Sequence, residues 1–207
     1  MTGRLNTETR EHILRVAQRL IYEHGFKGIS MGGVAAVAGI KKANLFHYYP
    51  TKEMLGLAVF DHAAADFKNW IASQLGETGA DPIRTIEAIF DGAADSMRQT
   101  SCSGGCFVGN LAQELSDHNE NFRLKVAEVF NLWTAQLSAL LEQGRSSGYF
   151  RPELQPRAAA EAILSLFEGA MLVAKARKDP APIKSAKLVA VAYLRSQRAK
   201  DSYHTPD

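Results

Sequence analysis

Cysteine is scarce in this chain, and the scarcity is informative. Two cysteines, Cys102 and Cys106, cannot build a disulfide framework. They cannot furnish a zinc site either, because such a site takes about four ligands and only His118 lies near them. No stretch approaches the roughly 18 apolar residues that a membrane helix needs. The N-terminal MTGRLNTETR has no apolar signal core. A cytoplasmic protein without a membrane partner is therefore expected. Catalytic signatures are missing too: there is no Gly-x-Ser-x-Gly, no phosphate-binding glycine loop and no His-Glu-x-x-His. Strand patterning is also lacking, which leaves nothing to carry a dinucleotide motif. No cofactor, no metal and no enzymatic activity are expected; an all-helical enzyme remains the alternative.

What is present is an ordinary globular composition with an uneven charge distribution. The 207 residues are 46% hydrophobic and 22% charged, enough to bury a sizeable core. The net charge of +2 conceals a basic head. Residues 1–53 hold eight Lys/Arg against four acids, whereas the remainder holds 16 against 18. A basic head on a slightly acidic body suits binding to nucleic acid.

Hydrophobic spacing is helical almost throughout. Ile13, Val16, Ala17, Leu20 and Ile21 form one stripe, with Gly25 as its stop. After Thr51 a long helix carries Leu55, Val59, Ala63, Phe67 and Trp70, and Gly76–Asp81 breaks it. Pro82 opens a helix through Ile86, Ile89, Phe90, Ala93 and Met97. A loop over Thr100–Gly105 leads to a short helix around Phe107–Leu115. Asn119 or Asn121 caps the best-patterned helix, marked by Phe122, Val126, Val129, Phe130, Trp133, Leu137, Leu140 and Leu141. Beyond the turn at Gly148–Pro156, two more helices carry Ile163–Ala174 and about Ile183–Arg198. The expected fold is all-α, with a three-helix head over residues 1–51, a six-helix body over 52–200 and a flexible tail over 201–207.

The most informative stretch is Ser30–Glu53, SMGGVAAVAGIKKANLFHYYPTKE. Ser30 suits an N-cap. Val34, Ala35, Val37 and Ala38 give the helix behind it a small apolar packing surface. Gly39 supplies the turn, where a left-handed backbone costs least. A second helix, about Lys41–Tyr49, carries Lys, Lys, Asn, His and Tyr around a Leu45 expected to be its one buried residue. Pro50 ends it, and Thr51 can cap the next helix. This pattern predicts a helix-turn-helix whose second helix faces DNA. Lys41, Lys42 and Asn44 can read base edges. His47, Tyr48 and Lys52 suit phosphates, and Lys27 and Ser30 complete the set. A module with a vestigial helix-turn-helix is the other alternative.

These residues resemble the tetracycline-repressor (TetR) family. The resemblance rests on Thr9-Arg10-Glu11, Gly25-Phe26, Ser30, Val34-Ala35, Ala38-Gly39-Ile40, Leu45-Phe46-His47-Tyr48-Tyr49 and Thr51-Lys52-Glu53. Three positions depart from the family pattern. Gly32 and Gly33 replace an acidic helix former, Lys41 replaces a Ser or Thr cap, and Phe46 replaces Tyr. The resemblance implies a homodimer on a near-palindromic double-stranded DNA operator, acting as a repressor or, alternatively, an activator. It implies that the helices at Ile163–Ala174 and Ile183–Arg198 pair with their copies, with Gly169, Ala170 and Ala174 allowing close approach and Leu188 and Val191 at the partner face.

The resemblance also implies a body that holds a small-molecule or electrophile effector. Phe90, Met97, Phe107, Phe130, Trp133, Phe167 and Met171 are its candidate lining, and Asn110, Gln113 and Glu114 could add polar contacts. Cys106 sits where Gly104-Gly105 meets the short helix, and a helix N-terminus favours a thiolate. The run Ser103–Leu111, followed by Glu114-Leu115, resembles a subgroup of TetR regulators that respond to reactive electrophiles or small unsaturated compounds, which adds Cys106 to the effector set, with Cys102 as a resolving thiol.

Overall fold

The computed structural model describes residues 2–77 and 81–199; the side chains of 2–6 and 75–77, the centre of the expected break and the expected tail lie outside the described residues. Among them there are nine helices: α1 (Thr2–Gly28), α2 (Met31–Val37), α3 (Lys42–Tyr48), α4 (Lys52–Glu77), α5 (Pro82–Gln99), α6 (Phe107–Leu115), α7 (Glu120–Ser146), α8 (Pro156–Arg177) and α9 (Ala181–Ser196). The expected all-α architecture is what the chain adopts. The one β feature described is an isolated bridge between Phe150 and Arg198. No described helix is long and apolar enough to cross a membrane. No cluster of His, Cys, Asp and Glu among the described residues could hold a metal.

The chain forms two compact units. One comprises the chain up to Trp70 together with Cys106–Val129; the other comprises Ile71–Gly105 and the chain from Phe130 onward. In the first unit Ile13, Leu14, Ala17 and Ile21 of α1 are buried with Val34, Ala35 and Ala38. Gly25 interrupts α1 at φ 75° and ψ 162°, a backbone that only glycine adopts freely. Phe26, just past that kink, packs its ring at a tilt against Phe122 of α7, with 5.1 Å between ring centroids. A Cβ on Gly56 of α4 would lie 2.3 Å from the Phe26 ring, so glycine is required there. Asn119 caps α7 through the Phe122 amide at 3.1 Å. Two details differ from the sequence reading. Val37 is 48% exposed rather than part of the packing surface, because α2 ends there and turns that side chain outward. Val129 and Phe130 are only half-buried on the α7 stripe.

In the second unit α5 packs on α8 and α9, and α8 on α9. Lys187 pairs with Asp91 at 2.6 Å and Arg195 with Glu87 at 3.1 Å. Asp81 begins α5: its carboxylate accepts the Ile83 and Arg84 amides at 2.9 and 3.1 Å and the Tyr149 hydroxyl at 3.0 Å. Burial pushes this carboxyl up, but the amide and hydroxyl hydrogen bonds outweigh it and hold it below the ordinary range. Asp81→Ala is expected to cost about 1 kcal/mol, the usual worth of an N-cap. Because the folded carboxyl is depressed, this contribution is present above the unfolded carboxylate range, near pH 4, and fades as pH falls through the folded value. Urea melts of both proteins at pH 7 and in that acid window, where the difference should shrink, check both statements.

Candidate nucleic-acid interface

The head presents one helix outward and anchors it with very few side chains. Ser30 caps α2 by accepting the Gly33 amide at 3.0 Å, so its oxygen already has a structural use. Gly39, at φ 66°, makes the turn. Lys41 occupies the N-cap of α3 and makes no side-chain cap bond, in keeping with its departure from a Ser or Thr cap. Leu45 is the buried residue of α3 and is fully enclosed. Lys41, Lys42, Asn44, Phe46 and His47 are exposed, while Tyr48 is half-buried with its ring edge-on to His47 at 5.8 Å. The Lys42 ammonium lies 5.8 Å from the Phe46 ring. No Asp or Glu occurs between Glu23 and Glu53, so nothing acidic in this segment opposes a phosphate.

Tyr49 is not part of the outward face. It is 2% exposed and receives the Arg10 Nε–H on its hydroxyl at 3.1 Å. The Arg10 guanidinium also lies 5.6 Å from its ring. His12 Nε2, 3.1 Å from the Ala38 carbonyl, ties α1 to the end of α2. Together these contacts fix α2 and α3 on α1.

Lys52 opens α4, behind the Thr51 cap that accepts the Met54 amide at 3.1 Å. Its ammonium donates to the Lys27 carbonyl at 3.3 Å and lies 4.8 Å from the Phe26 ring. The Lys27 side chain is exposed. Sequence reasoning missed what holds this corner. Glu114 of α6 accepts the Phe26 amide at 2.9 Å and the Lys27 amide at 2.5 Å. It points at the kink in α1, not into a ligand site of the body. The signal in the sequence was indirect: a glycine that breaks α1 strands the next amides, and a carboxylate elsewhere must then receive them.

The candidate effector residues divide between the two units. Cys106, Phe107 and Asn110 belong to the first. Cys106 is half-buried at the N-cap of α6, where its Sγ accepts the Gly109 amide at 3.4 Å. Phe107 stacks on Tyr22 at 6.2 Å, and Asn110 is half-buried. In the second unit Phe90, Met97, Trp133, Phe167 and Met171 are buried and Phe130 is half-buried. Phe167 is the hub, edge-on to Phe90 at 5.4 Å and to Trp133 at 5.0 Å. Cys102 is 2% exposed.

A helix-turn-helix followed by a helical body is the geometry against which known proteins can be set. The family described as "Bacterial regulatory proteins, tetR family" matches residues 13–59, and "Tetracyclin repressor-like, C-terminal domain" matches residues 82–189. The chain is a member of the TetR family. It is accordingly a DNA-binding transcription regulator. Among its relatives, the transcriptional repressor DhaR of Mycobacterium sp. is 24% identical over 86% of this chain and 87% of its own length. The transcriptional repressor NemR of Escherichia coli is 26% identical over 86% of this chain and 90% of its own. A TetR transcriptional regulator from Chloroflexus aurantiacus superposes with a TM-score of 0.84 at 27% identity, covering 95% of this chain and all of that one. The reduced form of E. coli NemR superposes at 0.79 with 25% identity, over 94% and 99% of the two chains.

Proposed function

We propose that this TetR-family member is a cytoplasmic, homodimeric repressor that leaves a near-palindromic operator when an effector binds. The observation that carries the reading is α3: one enclosed leucine behind an exposed face of Lys41, Lys42, Asn44, Phe46 and His47. Residues 1–51 contact DNA, and residues 52–200 hold the effector and the dimer contact. Turnover chemistry has no part in it. Two heads of one dimer engage half-sites about one helical turn apart, roughly 34–36 Å. Lys42 and Asn44 read base edges, and the exposed Phe46 ring offers an apolar surface to a thymine methyl. Lys27, His47, Tyr48 and Lys52 hold phosphates and fix register. Ser30 contributes by capping α2. In the body, Phe90, Met97, Phe130, Trp133, Phe167 and Met171 form the apolar lining for a small molecule; Phe107 and Asn110 flank Cys106, which takes electrophiles.

The test is a duplex selected from a random pool by the wild-type protein, measured beside an unselected duplex. Lys42→Ala and Asn44→Ala are expected to weaken the selected duplex by about 1–3 kcal/mol with little effect on the unselected one. Lys52→Ala should weaken both alike and flatten the salt dependence. Equal effects of all three substitutions on both duplexes would refute this division of labour.

A further inference from the structure

We propose that Glu114 is a positioning residue for DNA binding, acting through Lys52; this rests on the DNA-binding reading above. Gly25 breaks α1 one turn before its end, which deprives the Phe26 and Lys27 amides of their usual carbonyl partners. Glu114 accepts both, one on each carboxylate oxygen, at 2.9 and 2.5 Å. Lys27, whose amide is held in this way, is the residue whose carbonyl accepts the Lys52 ammonium at 3.3 Å, and Phe26, held likewise, carries the ring that Lys52 lies over at 4.8 Å. An ammonium has three donors. One is spent on Lys27, which aims the charge and leaves two for a phosphate. The shape of the corner leaves little freedom: a Cβ on Gly25 would meet Glu114 Oε2 at 3.1 Å, and one on Gly56 would meet the Phe26 ring at 2.3 Å.

The charge of Glu114 makes the idea testable by sign. An acid on a DNA-binding unit repels phosphates, so on charge alone its neutralisation should tighten binding. The positioning role demands the opposite. Without the carboxylate, the Phe26 and Lys27 amides lose their support, and the Lys27 carbonyl and the Phe26 ring that aim Lys52 are no longer held in place.

The experiment measures wild type, Glu114→Ala, Glu114→Gln, Lys52→Ala and the Glu114→Ala/Lys52→Ala double variant on a labelled unselected 30-base-pair duplex across a salt series, with thermal melts of each. Each head should lose one phosphate contact in Glu114→Ala, as in Lys52→Ala, so the slope of log K against log salt falls by about 0.9 per head, roughly eightfold in affinity per tenfold dilution of salt. The double variant should bind no worse than Lys52→Ala, since both act on one contact. Glu114→Gln keeps one acceptor oxygen and should fall between wild type and Glu114→Ala. The proposal is overturned if either Glu114 variant binds as tightly as wild type or more so, if the slope is unchanged, or if the two substitutions add. If Glu114→Ala does not fold, Glu114→Gln decides by the same criteria. Wild type that fails to bind any duplex in a salt-dependent way would instead defeat the DNA-binding reading itself.

Discussion

Leu188→Asp is expected to give a folded protein that no longer associates, whereas Val191→Asp, three residues on, is expected to give one that does not fold. The sequence reading put both side chains at the partner face. The structure separates them: Leu188 is 68% exposed and Val191 is 6% exposed, enclosed within its own unit. Around Leu188, α8 and α9 leave Leu172, Val173, Val189 and Tyr193 exposed as well. Scattered exposed apolar residues are ordinary, but several on two adjoining helices are the mark of a covered surface. Of the small residues read as allowing close approach, only Gly169 faces outward; Ala170 and Ala174 are core. An Asp at Val191 would be buried without a partner, at a cost of several kcal/mol, a large fraction of a domain's stability. An Asp at Leu188 stays hydrated in the monomer and is unpaired only when two copies meet. Sedimentation should show wild type dimeric and Leu188→Asp monomeric at micromolar concentration, with the variant's melting temperature within a few degrees of wild type. Operator affinity should fall by roughly 10²–10⁴, the gain normally had from tethering two binding modules. A dimeric Leu188→Asp protein, or a monomeric wild type, would remove this face as the contact.

Much of the fold is legible before any coordinates, for definite physical reasons. Breakers punctuate the helices: Gly25, Gly39, Pro50 and Pro82 each fall at a boundary or kink. The head was the most legible part, because Leu45 is the one buried residue of α3, set among Lys, Asn and His side chains that stay exposed. Periodicity fails where a residue sits near a stripe's edge or a helix end. Val37, Val191 and Tyr49 are apolar or aromatic residues whose facing depends on what the neighbouring helix does. Tyr49 is held by Arg10, 39 positions earlier, a partner that local spacing does not reveal. The partners of Glu114 were hidden for the same reason: they lie 87 and 88 positions away, and only the glycine break in α1 hints that its next amides need an acceptor. Long-range hydrogen bonds to broken helix ends are therefore what the sequence conceals at this site.

Electrophile treatment is expected to release the protein from its operator through Cys106 alone. Of the two thiols, Cys102 is 2% exposed while Cys106 is half-buried and sits at the N-cap of α6. Reactivity follows exposure and thiolate character, and a helix N-terminus favours the thiolate. With an unsaturated aldehyde, the sulfur bonds to the β-carbon, the double-bond electrons move to the α-carbon, and water supplies the proton there. The resulting thioether brings bulk to the sulfur that accepts the Gly109 amide at 3.4 Å, so the first turn of α6 must yield. Phe107, next in sequence, stacks on Tyr22 of α1, and Glu114, near the other end of this nine-residue helix, holds the Phe26 and Lys27 amides. A shift of α6 therefore reaches the head at two points within the same compact unit. To act as a switch, the adduct must favour the non-binding form strongly; a swing from 1:99 to 99:1 takes about 5.5 kcal/mol. Wild type and Cys102→Ser treated with a maleimide or an unsaturated aldehyde should leave the selected duplex, and Cys106→Ser should stay bound. Glu114→Gln, already loosened at the head, should show a smaller drop in affinity on treatment than wild type. Equal release in all three cysteine forms, or none in any, would leave Cys106 as a helix cap and transfer the effector role to a non-covalent ligand of the Trp133–Phe167 cluster.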